Sequence, residues 1–307
     1  VEGIKVLSVF DGMSCGQIAL ERAQIPVKEY YASEINKKAI AATKQNYPKT
    51  KHIGCVKSVE DFFLPEIDLF IGGSPCQGFS FAGKQLNFED PRSKLFFEYV
   101  RILKEVKPRF FMLENVKMKK EYQNIISEHL GVEPVLINSA LVSAQNRERL
   151  YWANFKIEPP EDSNLYVKDI ADKFFDSNLL LTNTYKGRLK KSEGLLLDAL
   201  LKNLRKVPSK NGLIAAILND TPSKLSRQAD RLYDINYKSP CLTASRSQDI
   251  KFNFPEGFRN LSKAELCRLQ TVEPSYFDGF SRNSAAEMLG NGWTVDVIAH
   301  IFKQIPF

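Results

Sequence analysis

KVLSVFDGMSCGQIALERA, residues 5–23, decides the fold of this 307-residue chain. A β-rich run at 5–10 enters a glycine-containing loop, and helical periodicity follows at 16–23. The alternation continues outward. Further β-rich runs lie at 28–32, 68–71, 109–113 and 132–138, with helical segments at 36–46, 93–106 and 121–130 between them. Residues 150–155 read as one more strand. Strands separated by helices of about ten residues or more predict right-handed crossovers and an α/β fold with a doubly wound, mostly parallel sheet. Ligands of such sheets sit at the carboxyl ends of the strands.

Past residue 155 the texture changes. The stretch Ile157-Glu158-Pro159-Pro160-Glu161-Asp162 reads as a linker, and 166–253 has poor periodicity with many Lys, Arg, Asn and Ser residues. Helical character returns at 262–270 and 284–303. The expected division is a first domain of residues 1–160 completed by 259–307, and a smaller irregular domain of residues 161–258.

Composition narrows the class. With 43% hydrophobic and 26% charged residues, collagen-like, mucin-like and broadly disordered chains are excluded. Lys and Arg number 43 against 36 Asp and Glu, and the net charge of +7 suits a polyanionic partner without requiring one. No apolar run approaches the ~20 residues of a membrane span, and with no charged segment followed by an apolar run at the start, secretion is not expected. The five cysteines are scattered and form no CxxC pair, so neither a disulfide framework nor a zinc site is expected. Three histidines are too few for a histidine-rich metal cluster.

Four loops carry chemistry. Phe10-Asp11-Gly12-Met13-Ser14-Cys15-Gly16 joins the first strand to a helix whose start presents free N–H groups, as a nucleotide pocket does. It lacks the GxGxxG spacing, and a plain glycine-rich connection is the alternative. Glu34, after the second strand, is placed to accept both hydroxyls of a ribose; the alternative is an acid serving the next helix start. Together the two loops point to an adenosine-bearing cofactor. Ile71-Gly72-Gly73-Ser74-Pro75-Cys76-Gln77-Gly78-Phe79-Ser80 puts a cysteine on a strand-to-loop turn, where its thiolate can be exposed and activated. The residues that follow read as a lid. Glu114 ends another strand, and Gln145-Asn146-Arg147-Glu148-Arg149 supplies two guanidinium groups. Residues i and i+2 of an extended chain share a face, so both arginines are expected to point into one site; ordinary surface ion pairs are the alternative.

These blocks, in this order, resemble those of the DNA (cytosine-5)-methyltransferases, in a compact prokaryotic or phage form. The matching segments are 10–16, Glu34, Gly73-Ser74-Pro75-Cys76-Gln77, Glu114-Asn115-Val116, 145–149, Ser239-Pro240-Cys241-Leu242-Thr243 and Gly290-Asn291-Gly292. The ending Leu289-Gly290-Asn291-Gly292-Trp293-Thr294-Val295 is also similar to that of the vertebrate de novo enzymes. The resemblance implies a sheet of the S-adenosylmethionine-dependent methyltransferase type with a DNA-recognition domain. It implies methyl transfer to carbon 5 of a flipped cytosine in double-stranded DNA, with S-adenosylhomocysteine as product and no metal. Cys76 then matches the nucleophile that adds to carbon 6, Glu114 the acid at ring N3, and Arg149 the residue holding the base carbonyl. Arg147 matches one positioning the backbone and catalytic loop. Phe10, Asp11, Gly12, Gly16, Glu34, Ile35, Cys55, Val56, Pro75, Asn291 and Val295 fall at cofactor positions. Ser80, Lys84, Arg92, Gln145 and Thr243 fall at DNA positions, and base choice is assigned to residues 166–253.

One departure stands out. After the third strand the family shows an aspartate that accepts the adenine amino group, whereas here the run is Ile53-Gly54-Cys55-Val56-Lys57. A thiol is a weak acceptor, so weaker or altered cofactor binding is expected. The resemblance also implies a cytoplasmic setting in a bacterium or phage-infected cell (nuclear in a eukaryote), no membrane partner, a monomer in preference to an oligomer, and a cognate restriction enzyme as a candidate partner. Three alternatives are weighed: a catalytically silent DNA-binding relative, a tRNA cytosine methyltransferase, and a small-molecule methyltransferase. The first has only Cys55 in its favour, because the cysteine and glutamate of the reaction are both present. The second lacks its Cys-Phe-Thr signature, and the third leaves Pro75-Cys76 and the arginines unexplained.

Overall fold

A computed structural model of the chain describes residues 3–60, 64–75, 94–173, 213–216, 231–244, 250–255 and 257–307. They cluster into two compact units. The first comprises residues 1–139, 148–161 and 292–307, and the second 140–147 and 162–291. The second unit therefore takes in 259–291, a stretch that the sequence division grouped with the first domain.

The first unit is built on a seven-stranded sheet. Its strands are β1 (Ile4–Val9), β2 (Val27–Ser33), β3 (Lys51–Gly54), β4 (Leu69–Gly72), β5 (Phe110–Val116), β6 (Val135–Asn138) and β7 (Glu148–Ala153). The order is β3-β2-β1-β4-β5-β7-β6. All neighbours are parallel except β7, which runs antiparallel to both β5 and β6. The order reverses between β1 and β4, the kind of switch point at which open α/β sheets bind their ligands. Helices α1 (Cys15–Arg22), α2 (Lys37–Asn46), α3 (Lys94–Val106) and α4 (Lys120–Leu130) supply connections.

Local chemistry explains these elements. The central strands β4 and β5 are buried almost throughout, as parallel strands covered on both faces must be. The side chain of Asn36 accepts the N–H groups of Lys38 and Ala39 and so starts α2. Gly131 ends α4 at φ 72°, a conformation that glycine adopts without a Cβ clash. On α3, Phe96, Tyr99, Val100 and Ile102 are buried, and Tyr99 stacks on Phe70 with ring centroids 4.4 Å apart. The edge strand β3 lies in none of the β-rich runs, because its residues alternate no apolar face.

The second unit holds a four-stranded sheet, β11-β10-β9-β8, made of β8 (Leu213–Ala216), β9 (Arg231–Asp234), β10 (Lys251–Phe254) and β11 (Gly257–Asn260). It also contains α5 (Val167–Ile170), α6 (Lys263–Leu269) and α7 (Arg282–Asn291), while α8 (Val295–Phe302) returns to the first unit. Arg259 and Glu265 are completely buried here and joined by two hydrogen bonds of 2.8 Å. The Arg259 guanidinium also lies 3.4 Å from the Phe254 ring centroid. Among the described residues no helix is long and apolar enough to cross a membrane.

Candidate active site

The loop after β1 is unusual in its backbone. Phe10 (φ 57°), Gly12 (φ 58°) and Ser14 (φ 58°) are all left-handed, although two of the three carry side chains. Such residues cost about 1 kcal/mol or more each and mark places where the surroundings dictate the conformation. Here the surroundings are visible. The Asp11 N–H donates to Ser33 O at 3.2 Å, and the Ser14 N–H donates to Asp11 O at 3.0 Å. The Asp11 carboxylate is buried, accepting from the Tyr30 hydroxyl at 2.8 Å and from the Ser14 hydroxyl. Burial pushes its carboxyl up to about 6, opposed by the hydrogen bonds from Ser14, Ser8 and Tyr30. Asp11, expected at the cofactor, thus spends its side chain inside the protein as a brace for the loop.

Glu34 follows β2 at the same sheet edge. Its Oε2 accepts the Gly12 N–H at 2.7 Å, and its Oε1 accepts the N–H groups of Ile35 and Asn36, each at 2.7 Å. Three of about four acceptor sites on the carboxylate are therefore taken. One ribose hydroxyl can be accepted directly, and a second requires a main-chain N–H to let go. Beside it Ile35 is 72% exposed, an apolar surface that a planar ring would cover. A Cβ on Gly12 would meet nothing within 4 Å, so the loop is open on that side. The carboxylate, the exposed isoleucine and the open glycine together fit the ribose and ring of an adenosine. Cys55 is half-buried just beyond β3, and Val56 belongs to the core.

The carboxyl end of β4 lies beside that of β1 in the sheet. After β4 come Gly73, Ser74 and Pro75; Ser74 is buried, and Asn115 Nδ2 donates to its Oγ at 3.1 Å. Asn115 therefore pins the turn that leads to Cys76, a role not assigned to it from sequence. Glu114 is 8% exposed near the end of β5. Because β7 runs antiparallel, its first residues lie at the carboxyl end of β5, and the register Val116↔Arg149 puts Arg149 diagonally beside Glu114. Arg149 Nε lies 2.9 Å from Glu114 Oε1. On the other oxygen, Trp293 Nε1–H donates to Glu114 Oε2 at 3.0 Å. Trp293 sits in the quoted terminal motif, but no role for it was legible there.

Cys76, Ser80, Lys84 and Arg92 lie outside the described residues. The remaining expected residues separate. Arg147 is buried in the second unit, where it donates to Leu242 O at 3.0 Å and Gly290 O at 3.4 Å. The two arginines thus have different partners in different units, and the shared face predicted from their spacing is not what the structure shows, because Arg147 precedes the start of β7. Gln145, expected at the DNA, is fully buried. Its amide donates to Leu269 O at 2.9 Å and accepts the Leu242 N–H at 2.8 Å. Thr243 is exposed, as is Asn291 at the end of α7, whereas Val295 at the start of α8 is fully buried in the first unit. Gly290 is required by close approach, since a Cβ there would stand 2.4 Å from the main-chain carbon of Thr243. Among the described residues no cluster of three or more His, Cys, Asp or Glu side chains is arranged to hold a metal.

Comparison with solved structures shows the fold. A methyltransferase of Entamoeba histolytica aligns over 99% of this chain and 98% of its own with a TM-score of 0.72 at 14% identity, so the fold is that of a methyltransferase. The chain belongs to the C-5 cytosine-specific DNA methylase family, whose sequence profile matches residues 4–306. Type II methyltransferase M.NgoBV of Neisseria gonorrhoeae is 31% identical over 272 aligned residues, covering 69% of this chain and 64% of the relative. Type II methyltransferase M.HpaII of Haemophilus parainfluenzae is 27% identical across 99% of this chain and 89% of its own. The chain thus spans less than two thirds of the first relative and most of the second.

Proposed function

We propose that this chain methylates carbon 5 of cytosine in double-stranded DNA. The observation that carries the reading is the meeting of Glu114 and Arg149 at the carboxyl edge, beside the Ser74-Pro75 turn that leads to Cys76, in a chain of this family. Carbon 5 is a poor nucleophile. Addition of the Cys76 thiolate to carbon 6 pushes an electron pair toward carbon 5, and a proton delivered by Glu114 to ring N3 drains the opposing charge. Arg149 orients that acid and the base carbonyl. Loss of the carbon 5 proton after methylation then expels the cysteine. The target base must leave the stack for this chemistry, at a cost of a few kcal/mol that phosphate contacts and the pocket offset.

Gly12, Glu34 and Ile35 would hold the adenosine of S-adenosylmethionine, with Phe10, Gly16, Cys55 and Pro75 around it. When bound, that cofactor supplies the methyl group as a sulfonium electrophile. The residues of 161–258 read the target sequence, with Thr243 at a phosphate, while Gln145 and Arg147 hold the segment around Leu242 in shape. As the Type II names of relatives suggest, a cognate endonuclease is the partner in a bacterial or phage-infected cytoplasm, where the chain acts as a monomer.

Bisulfite sequencing of plasmid DNA from cells expressing the protein tests this. Protected cytosines in one sequence context are expected. Full conversion at every cytosine contradicts the proposal.

A further inference from the structure

We propose that Trp293 is a positioning residue for this reaction, holding Glu114 in its working orientation through the indole N–H. The inference rests on the methyl-transfer reading proposed above. Its basis is the 3.0 Å hydrogen bond from Trp293 Nε1 to Glu114 Oε2, opposite the Arg149 contact on Oε1. With a donor on each oxygen, the carboxyl plane of Glu114 is fixed from both sides.

The main chain that carries the indole is itself held from several directions. The Trp293 carbonyl accepts from the Cys15 thiol at the start of α1, 3.6 Å away. The next residue, Thr294, accepts from the Ser139 hydroxyl at 2.8 Å, and Val295 beyond it is fully buried. Glycine makes room for the ring. A Cβ on Gly73 would lie 3.0 Å from both Trp293 Nε1 and Glu114 Oε2, tighter than ordinary contact, and the ring's Cζ3 lies 3.8 Å, an ordinary contact distance, from where a Gly16 Cβ would stand. The indole therefore occupies a slot between the cofactor loop and the turn leading to Cys76, with its one polar atom on the acid. A donor fixed before the substrate arrives requires no reorganisation during reaction, which is where orientation affects rate. Trp293 also stands beside Gly16, so the same ring can pack near the cofactor; the experiment must separate that role from orientation of the acid.

Trp293→Phe keeps an aromatic ring and removes the N–H. The full chain, wild type and variant, is assayed by single-turnover methylation of duplex DNA, and S-adenosylhomocysteine binding is measured by calorimetry. The chain has two tryptophans, so 15N-labelled protein gives two indole N–H resonances. Loss of the indole N–H donor to Glu114 lowers the single-turnover rate about 10- to 100-fold, with S-adenosylhomocysteine affinity unchanged. Glu114→Gln moves the indole resonance that Trp293→Phe deletes and leaves that of Trp152 in place. If Trp293→Phe does not fold, Trp152→Phe makes the assignment and the resonance decides. An unchanged rate, a proportional loss of S-adenosylhomocysteine affinity, or an indole resonance indifferent to Glu114→Gln overturns the inference. A wild-type protein that methylates no DNA overturns the functional reading instead, and the resonances still decide the contact.

Discussion

The main-chain N–H of Gly12 and the carboxylate of Glu34 meet at 2.7 Å, although 22 residues separate them in sequence. The contact joins the loop after β1 to the end of β2, so Glu34 shapes that loop, and in the function proposed above it also faces the cofactor. Glu34→Ala removes both functions. With hydrogen bonds to a charged group contributing about 1.5–3 kcal/mol, S-adenosylmethionine affinity should fall about 10- to 100-fold by calorimetry. Unchanged affinity would remove Glu34 from the cofactor site.

Asp11 gives a pH signature. Its carboxyl rises from 3.8 unfolded to about 6 folded, mainly through burial. Between those values the native state holds a proton that the unfolded chain releases, so stability is greater at the acid end and falls as pH rises through this window. A shift of that size corresponds to about 3 kcal/mol. Asp11→Asn mimics the protonated group, so the variant should gain relative to wild type between pH 4 and pH 7.5. Urea unfolding at several pH values measures the difference; a pH-independent difference contradicts it.

In the second unit, Arg259→Met leaves Glu265 with a buried charge and no guanidinium. Breaking a fully buried pair costs about 3–5 kcal/mol. Glu265 also accepts N–H groups from Ser262 at 2.7 Å and Asp172 at 2.9 Å, so the loss should spread into the start of α6. A urea midpoint equal to wild type would show that the pair contributes nothing.

Much of this was legible because burial writes itself into pattern. Residues 109–113 and 93–106 match β5 and α3 closely, as continuous apolar runs and 3.6-residue spacing require. The direction of β7 was not legible, since hydropathy is the same read either way, and that direction is what brings Arg149 to Glu114. Gln145 and Asp11 show a second limit. A polar residue in a motif can face a ligand or brace the loop that does, and only the fold decides. Trp293 meets Glu114 across 179 residues, beyond the reach of any local spacing rule.

Cys55 tests the departure from the family pattern. Cys55→Asp places a strong acceptor at the carboxyl end of β3, where the resemblance puts the adenine amino group. Restoring one charge-assisted bond should tighten S-adenosylmethionine binding by about 1–2 kcal/mol, or roughly tenfold. Calorimetry that shows no gain would mean that the adenine does not reach Cys55.

The covalent chemistry of Cys76 can be seen directly. A duplex DNA library in which cytosine is replaced by 5-fluorocytosine is incubated with the protein and S-adenosylmethionine, and the intact mass of protein–DNA products is recorded. Fluorine at carbon 5 cannot leave as a proton does, so the adduct at carbon 6 should persist in wild type and vanish in Cys76→Ala. Wild-type methylation of ordinary DNA with no trapped adduct, or an adduct that survives Cys76→Ala, would contradict the account.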